Sequence, residues 1–150
     1  MRAVIQKVKY AKLIIDSEIY SQIEEGLMVL LGIEDADTKE DIEWLADKIR
    51  KLRIFEDENG VMNLSVEDVK GEMMIVSQFT LHASTKKGNR PTYIRASKPE
   101  FSKPMYESFI ARTREVFAGT VATGEFGADM KIELVNNGPT TIIIDTKNKE

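Results

Sequence analysis

Apolar and polar residues alternate with a period of two at the start of the chain. The alternation runs over Arg2–Lys9 and again over Ala11–Ile23, where Asp16-Ser17 marks a turn. Because successive side chains of a strand point to opposite faces, this pattern predicts an opening strand followed by a hairpin. Leu27–Ile33 is instead an unbroken apolar run, which predicts a central strand buried on both faces.

Two later segments show helical spacing. Over residues 39–52 apolar side chains recur every three or four positions, and Thr38 with Asp41 resembles a capping box. A weaker stripe predicts a second helix from about Lys103 to Phe117, because Pro104 is tolerated in a first helical turn.

The rest of the chain reads as strands and loops. Extended structure is predicted at residues 53–55, Glu72–Phe79, Met130–Val135 and Thr140–Asp145, with Gly138-Pro139 as the loop between the last two strands. No repeat or change of composition divides the chain. Residues 1–150 should therefore form one β-rich α/β domain with two helices.

Composition excludes several kinds of chemistry. The chain has no Cys and a single histidine, His82, so a disulfide, a thiolate nucleophile or a His-based metal cluster is not expected, and we expect no cofactor or metal. No stretch approaches the ~20 apolar residues of a membrane span, and the first residues lack the apolar core of a signal peptide. We expect a cytoplasmic protein without membrane contact.

The overall charge of −4 hides a basic segment. Six basic residues and one acidic residue lie between Leu81 and Lys103, a local net charge of +5. A charge run is often only a solvated loop, but this one follows directly after the polar step Ser77–Thr80. We therefore treat Lys86, Lys87 and Arg90 as candidate phosphate-binding residues.

Two motifs carry the candidate chemistry. Ser77-Gln78-Phe79-Thr80 places two hydroxyls and an amide at the end of an apolar strand, and Gly138-Pro139 is a place where a cis peptide bond is feasible. Both have plainer interpretations, as polar positions of a half-buried strand and as a hairpin loop. Strand alternation would put Thr80 on the same face as His82, but no third orienting group is evident, so covalent hydroxyl catalysis is disfavoured. We expect His82 at the surface.

The chain resembles the D-aminoacyl-tRNA deacylase family nearly end to end. The matching segments are Met1–Val4, Gly26–Gly32, Leu52–Phe55, Met62–Ser65, Ser77–Leu81, Lys87-Gly88, Arg90-Pro91, Gly124, Phe126–Met130 and Asn136–Thr141. With the predicted elements, the resemblance implies mixed sheets that form a barrel-like core, with two main helices packed on one side.

The resemblance also implies an activity and a site. It implies a homodimer that hydrolyses the ester joining a D-amino acid, or glycine, to the 3′-terminal adenosine of tRNA, with help from the tRNA 2′-hydroxyl and no essential protein nucleophile. A Gly-cis-Pro pair from the partner subunit would exclude L side chains. Carried over to this sequence, the implied residues are Gln78 and Thr80 for catalysis, Ser77, Phe79, Met130, Asn136, Gly138 and Pro139 for substrate binding, and Lys86, Lys87 and Arg90 for tRNA binding.

Some positions depart from the family pattern, and two other functions stay open. Lys7 stands where Arg is frequent, and Asn137 and Thr140 stand where an acidic residue and valine are common. Lysine cannot reproduce the planar fork of arginine. One alternative is a related deacylase of relaxed chirality that acts on L-alanyl-tRNA, and the other is a tRNA-binding module without hydrolysis.

Overall fold

A computed structural model describes all 150 residues as eight strands and two helices. The strands are β1 (Arg2–Ile15), β2 (Glu18–Ile23), β3 (Gly26–Gly32), β4 (Phe55–Glu56), β5 (Met62–Leu64), β6 (Glu72–Ser77), β7 (Val121–Thr123) and β8 (Lys131–Asp145). The helices are α1 (Lys39–Lys51) and α2 (Pro99–Val116), and a 3₁₀ turn spans Phe79–His82. Neither α1 nor α2 combines the length and the hydrophobicity that a membrane-spanning helix needs.

Six of the strands form one mixed sheet. Its order is β2-β1-β3-β6-β7, and β8 pairs antiparallel with β1. β3, β6 and β7 run parallel to one another, whereas β1 is antiparallel to β2 and β3. Because β1 is long enough to pair with three strands, the sheet curls into a nearly closed, barrel-like core, which confirms the expected fold class.

The two helices pack together against one face of this sheet. Their buried side chains, among them Leu45 and Phe109, join the inward residues of β1, β3 and β6 in a cluster of 21 buried residues. The hydroxyl of Tyr106 on α2 donates to the carbonyl of Ile75 on β6 at 2.7 Å, and burial raises the pKa of Tyr106 to about 12. The phenol therefore stays protonated and ties α2 to the strand that leads into the polar motif.

Several predicted elements are confirmed. α1 begins as expected, since the Asp41 carboxylate accepts a hydrogen bond from the Thr38 backbone N–H at 2.8 Å. The turn at Asp16-Ser17 has positive φ at both residues, as a tight hairpin requires. β3 is the central strand that its apolar run predicts.

Two predicted boundaries are wrong. β6 ends at Ser77 and not at Phe79, because β3, the strand it pairs with, ends at Gly32. α2 begins at Pro99, four residues before the predicted start, so Pro104 lies inside the helix. Pro104 is exposed, and water can solvate the carbonyl that its missing N–H leaves unpaired.

The Gly-Pro segment is not a hairpin loop. Residues 131–145 form one strand, β8, which follows β1 along its length. Gln6 pairs with Thr141 and Val8 with Asn136, so residues 137–140 bulge opposite the single residue Lys7. The continuous edge of β1 thus joins two segments that look like separate strands in the sequence.

Candidate active site

The polar motif lies on a turn at the end of β6. The Gln78 backbone N–H donates to the Leu31 carbonyl at 2.7 Å, which is the last backbone hydrogen bond of this segment to β3. The 3₁₀ turn then closes as the Leu81 N–H donates to the Gln78 carbonyl at 3.3 Å. The Arg2 guanidinium donates to the Leu81 carbonyl at 3.0 Å and pairs with Asp145 at 2.8 Å. These contacts hold the turn against both β1 and β8.

Gly32 lets this turn lie directly on β3. A Cβ atom at Gly32 would lie 2.9 Å from the Leu81 Cβ and 3.1 Å from both the Gln78 carbonyl oxygen and the His82 Cδ2. These separations are shorter than ordinary contacts, so only glycine fits here without moving the turn. Sequence reasoning gives Gly32 no role, because the close approach arises between segments about fifty residues apart.

The turn opens into a cavity of about 570 Å³. Ser77, Gln78 and Phe79 form one part of its lining, and residues 126–130, which include Met130, form another. A third part comes from the segment that includes Tyr93 and from the start of α2. Four of the site residues proposed from the sequence, Ser77, Gln78, Phe79 and Met130, are therefore brought together.

Thr80 sits beside the cavity and is held by its neighbour in the motif. The Gln78 side-chain amide donates to the Thr80 Oγ1 at 2.5 Å, and Thr80 itself is half-buried. Since an amide N–H cannot accept a proton, this contact orients the hydroxyl but does not activate it as a nucleophile.

His82 is buried, and the expectation of a surface histidine is wrong. Its side chain is fully buried, neither ring nitrogen has a hydrogen-bond partner, and Nδ1 lies 3.6 Å from the Glu34 carboxylate. Burial lowers the pKa of His82, although the Glu34 carboxylate acts in the opposite direction. The 3₁₀ turn replaces the strand alternation on which a Thr80–His82 pair would depend, and no such hydrogen bond forms.

The Gly-Pro bulge is held together by one side chain. The Gly138-Pro139 peptide bond is cis, and Gly138 has φ of 128°. Asn136 accepts from the Thr140 backbone N–H at 3.1 Å and donates to the Thr141 hydroxyl at 3.0 Å. Within one chain, Asn136, Gly138 and Pro139 do not line the cavity, so the structure does not bring them together with the polar turn.

Lys7, which lies opposite this bulge on β1, is turned into the core. Its side chain is buried, and Nζ lies 5.9 Å from the centroid of the Phe55 ring. This geometry is a cation–π contact with β4.

The three basic candidates lie together on one exposed loop, directly before the cavity residue Tyr93 in the chain. Ser84 and Thr92 exchange backbone hydrogen bonds of 2.8 and 3.0 Å and close residues 85–91 into this loop. Lys86, Lys87 and Arg90 are exposed and form no ion pair. None of the three lines the cavity.

The structure adds Tyr93 to the residues proposed from the sequence. Tyr93 lines the cavity and packs edge-on against Phe79, with ring centroids 5.1 Å apart. The sequence signal that could have found it is an aromatic residue directly after a basic loop.

Comparisons with known proteins agree on one family. The family model described as D-Tyr-tRNA(Tyr) deacylase matches residues 4–145. D-aminoacyl-tRNA deacylases of Parabacteroides distasonis and Flavobacterium psychrophilum are 62% and 59% identical over 150 residues, which is all of this chain and all of theirs.

Solved structures show the same fold. The c-Myc DNA unwinding element binding protein is 38% identical with a TM-score of 0.93, over 97% of this chain and 99% of that chain. A probable eukaryotic D-amino acid tRNA deacylase, 18% identical, superposes with a TM-score of 0.82 over 95% of this chain and 97% of its own, and supports the fold alone.

The motifs, the fold and the matches all extend over nearly the whole chain. This confirms the resemblance noted in the sequence: the chain belongs to the D-Tyr-tRNA(Tyr) deacylase family.

Proposed function

We propose that this protein hydrolyses the ester bond of D-aminoacyl-tRNA and releases the free D-amino acid and tRNA. Family membership supports the enzyme class, a hydrolase of aminoacyl-tRNA esters. The observation that carries the proposal is the turn Ser77–Thr80, which presents hydroxyl and amide groups at the edge of a cavity of about 570 Å³. We place the enzyme in the cytoplasm, where aminoacyl-tRNA is made and used.

The geometry supports catalysis by orientation and hydrogen bonding. An aminoacyl ester is already activated, so the protein needs to position water and to stabilise the developing oxyanion. The Thr80 Oγ1 accepts from Gln78, which leaves its own hydrogen free to donate to the ester carbonyl. Gln78 keeps a second amide hydrogen for the same purpose. The 2′-hydroxyl of the terminal adenosine assists in this scheme, and no protein nucleophile is required.

Substitution of Thr80 tests this scheme. Thr80→Ala removes one donor and should lower kcat while leaving appreciable activity, because Gln78 remains. Thr80→Ser keeps the hydroxyl and should stay close to wild type. Near-complete loss of hydrolysis by Thr80→Ala, with an unchanged melting temperature and unchanged tRNA binding, would show instead that Thr80 attacks the ester.

We assign chiral selection to Gly138-Pro139 of a second copy of the chain. Both residues are exposed on β8 and do not line the cavity of their own chain, so they are free to enter the cavity of another. A rigid backbone segment beside the α-carbon rejects an L side chain more firmly than a mobile side chain does. Glycine has no side chain to exclude, so glycyl-tRNA mischarged on tRNA(Ala) should also be hydrolysed.

Matched esters and a mass measurement test the selectivity and the dimer. The purified protein should hydrolyse D-aminoacyl- and glycyl-tRNA, spare the L-aminoacyl ester, and sediment as a dimer. Hydrolysis of both enantiomers, or of L-alanyl-tRNA, would favour the deacylase of relaxed chirality.

A second candidate function is a nucleic-acid-binding module without hydrolysis. The observation in its favour is the loop with three unpaired cations, Lys86, Lys87 and Arg90. Binding of tRNA without turnover of any ester would establish this function in place of the first.

A further inference from the structure

An apolar patch lies beside the cavity mouth. Phe79, Tyr93 and Ile94 are 56%, 40% and 91% exposed. Tyr93 touches Phe79 edge-on, both residues line the cavity, and Ile94 follows Tyr93 directly in the chain. Two exposed aromatic residues in contact at a polar site, with a third exposed apolar residue next in the chain, differ from a single exposed hydrophobic residue and are typical of a binding surface.

Positive charge borders this patch on the same segment. Lys86, Lys87 and Arg90 lie on the loop that the Ser84–Thr92 pair closes, just before the patch in the chain. No carboxylate of the chain pairs with them, so their charge is available to an anionic partner. Aromatic and aliphatic surface bordered by unpaired cations matches the chemistry of a single-stranded nucleic acid, which offers base faces and phosphates.

The base of the segment is firmly held. The Arg95 guanidinium donates to the Glu34 carboxylate at 3.1 Å, and Ser97 donates from its hydroxyl to Asp35 at 2.7 Å and from its backbone to the Ile33 carbonyl at 3.0 Å. All three acceptors lie just beyond the end of β3. The patch is therefore preformed, and little ordering is needed when a ligand binds.

We infer that the patch Phe79, Tyr93 and Ile94 binds the nucleotides that precede the terminal adenosine of the tRNA, with Lys86, Lys87 and Arg90 contacting their phosphates. The inference rests on the proposed function, since it assumes that the aminoacylated adenosine occupies the adjoining cavity. The 3′ end then runs from the cavity across the patch as a single strand, because paired bases would not expose their faces to Tyr93 and Ile94.

Esters of increasing length test this path. One D-amino acid is attached to adenosine, to the 3′-terminal trinucleotide and to whole tRNA. Ile94→Ser should raise KM several-fold for the two longer esters, with kcat retained, and leave the adenosine ester unchanged. Tyr93→Ala should raise KM for the longer esters by roughly fivefold or more, the usual effect of removing one stacked base. Ile19→Ser, at a 55% exposed isoleucine on β2, is the matched control and should behave as wild type.

Binding of uncharged tRNA gives a readout that does not depend on hydrolysis. Fluorescence anisotropy at several salt concentrations should show weaker binding by Ile94→Ser. The double variant Lys86→Ser/Lys87→Ser should lower the slope of log K against log salt by roughly 0.7 for each phosphate that it no longer neutralises. If the wild type hydrolyses no ester, the proposed function fails, and this binding experiment still decides the inference.

Two results would overturn the inference. The first is an Ile94→Ser variant with wild-type KM for every ester and wild-type affinity for tRNA. The second is an equal rise of KM for the adenosine ester and the longer esters, which would place Ile94 at the reacting end and not on the path of the strand.

Discussion

Replacing Gly32 by alanine should displace the turn that carries Gln78 and Thr80. The new Cβ would meet the Leu81 Cβ at 2.9 Å and the Gln78 carbonyl oxygen at 3.1 Å, whereas ordinary contacts begin near 3.4 Å. The turn must therefore move outward by about 0.5 Å, because β3 is paired with β1 and β6 on its two sides and cannot move. Gly32 has no unusual backbone angle, so the effect is one of space alone.

The expected magnitude follows from this overlap. Overpacking of a core position costs about 1–3 kcal/mol in the free energy of unfolding, which for a domain of this size lowers Tm by roughly 2–12 °C. A misplacement of ~1 Å at a reacting group lowers rates by about 10²-fold, so a shift of half that distance should lower kcat by on the order of tenfold. Deacylation of D-aminoacyl-tRNA well below the Tm of the variant measures kcat on folded protein.

Gly119→Ala is the matched control. Its Cβ would lie 2.5 Å from the Phe117 Cζ and 2.8 Å from the Gly71 carbonyl oxygen, but Gly119 does not line the cavity. It should lower Tm and leave kcat unchanged. If Gly32→Ala also kept the wild-type kcat and reduced only stability, the idea that Gly32 positions the catalytic turn would be refuted.

Three further predictions concern other parts of the fold. Thr140→Val removes a buried hydroxyl that has no partner and should raise the free energy of unfolding by about 1 kcal/mol in urea denaturation; a lower stability would contradict this. Glu34→Gln and Arg95→Gln should each raise KM for the tRNA ester several-fold at constant kcat, because their ion pair holds the base of the segment that carries Tyr93 and Ile94. The double variant should be no worse than either single variant, since both changes break the same ion pair, and additive effects would contradict this role. Partial burial would raise the pKa of Asp41, but the hydrogen bond from Lys147 helps to hold it well below its usual range. Asp41 therefore stabilises the fold above its unfolded pKa of about 3.9. This stabilisation disappears as pH falls through the lowered pKa. Tm measured from pH 7 down to pH 2 should therefore fall less steeply at the acid end for Asp41→Asn than for wild type.

Elements with strong local signals could be predicted from the sequence. The helix α1 follows from its apolar spacing and capping residues, and the turn at Asp16-Ser17 follows from the alternation on either side of it. The polar step Ser77–Thr80 is visible for the same reason, because it interrupts an apolar strand. Periodicity and capping act over a few residues, and the sequence displays them directly.

Other features depended on which distant segments meet. β8 is one strand because β1 continues alongside it, and His82 is buried because the turn lies on Gly32. The cavity joins the turn at residues 77–79 to Tyr93 and to residues 126–130, which no local pattern links.

Family membership, the local elements and the polar groups available for chemistry can be recognised in the sequence alone. Packing between distant segments decides that Thr80 is bound by an amide and not by a base, that the Gly-Pro bulge lies away from the cavity of its own chain, and that Tyr93 lines the cavity. Helix and strand propensities depend on a few neighbouring residues, whereas strand pairing, burial and close approach depend on packing between segments far apart in the chain.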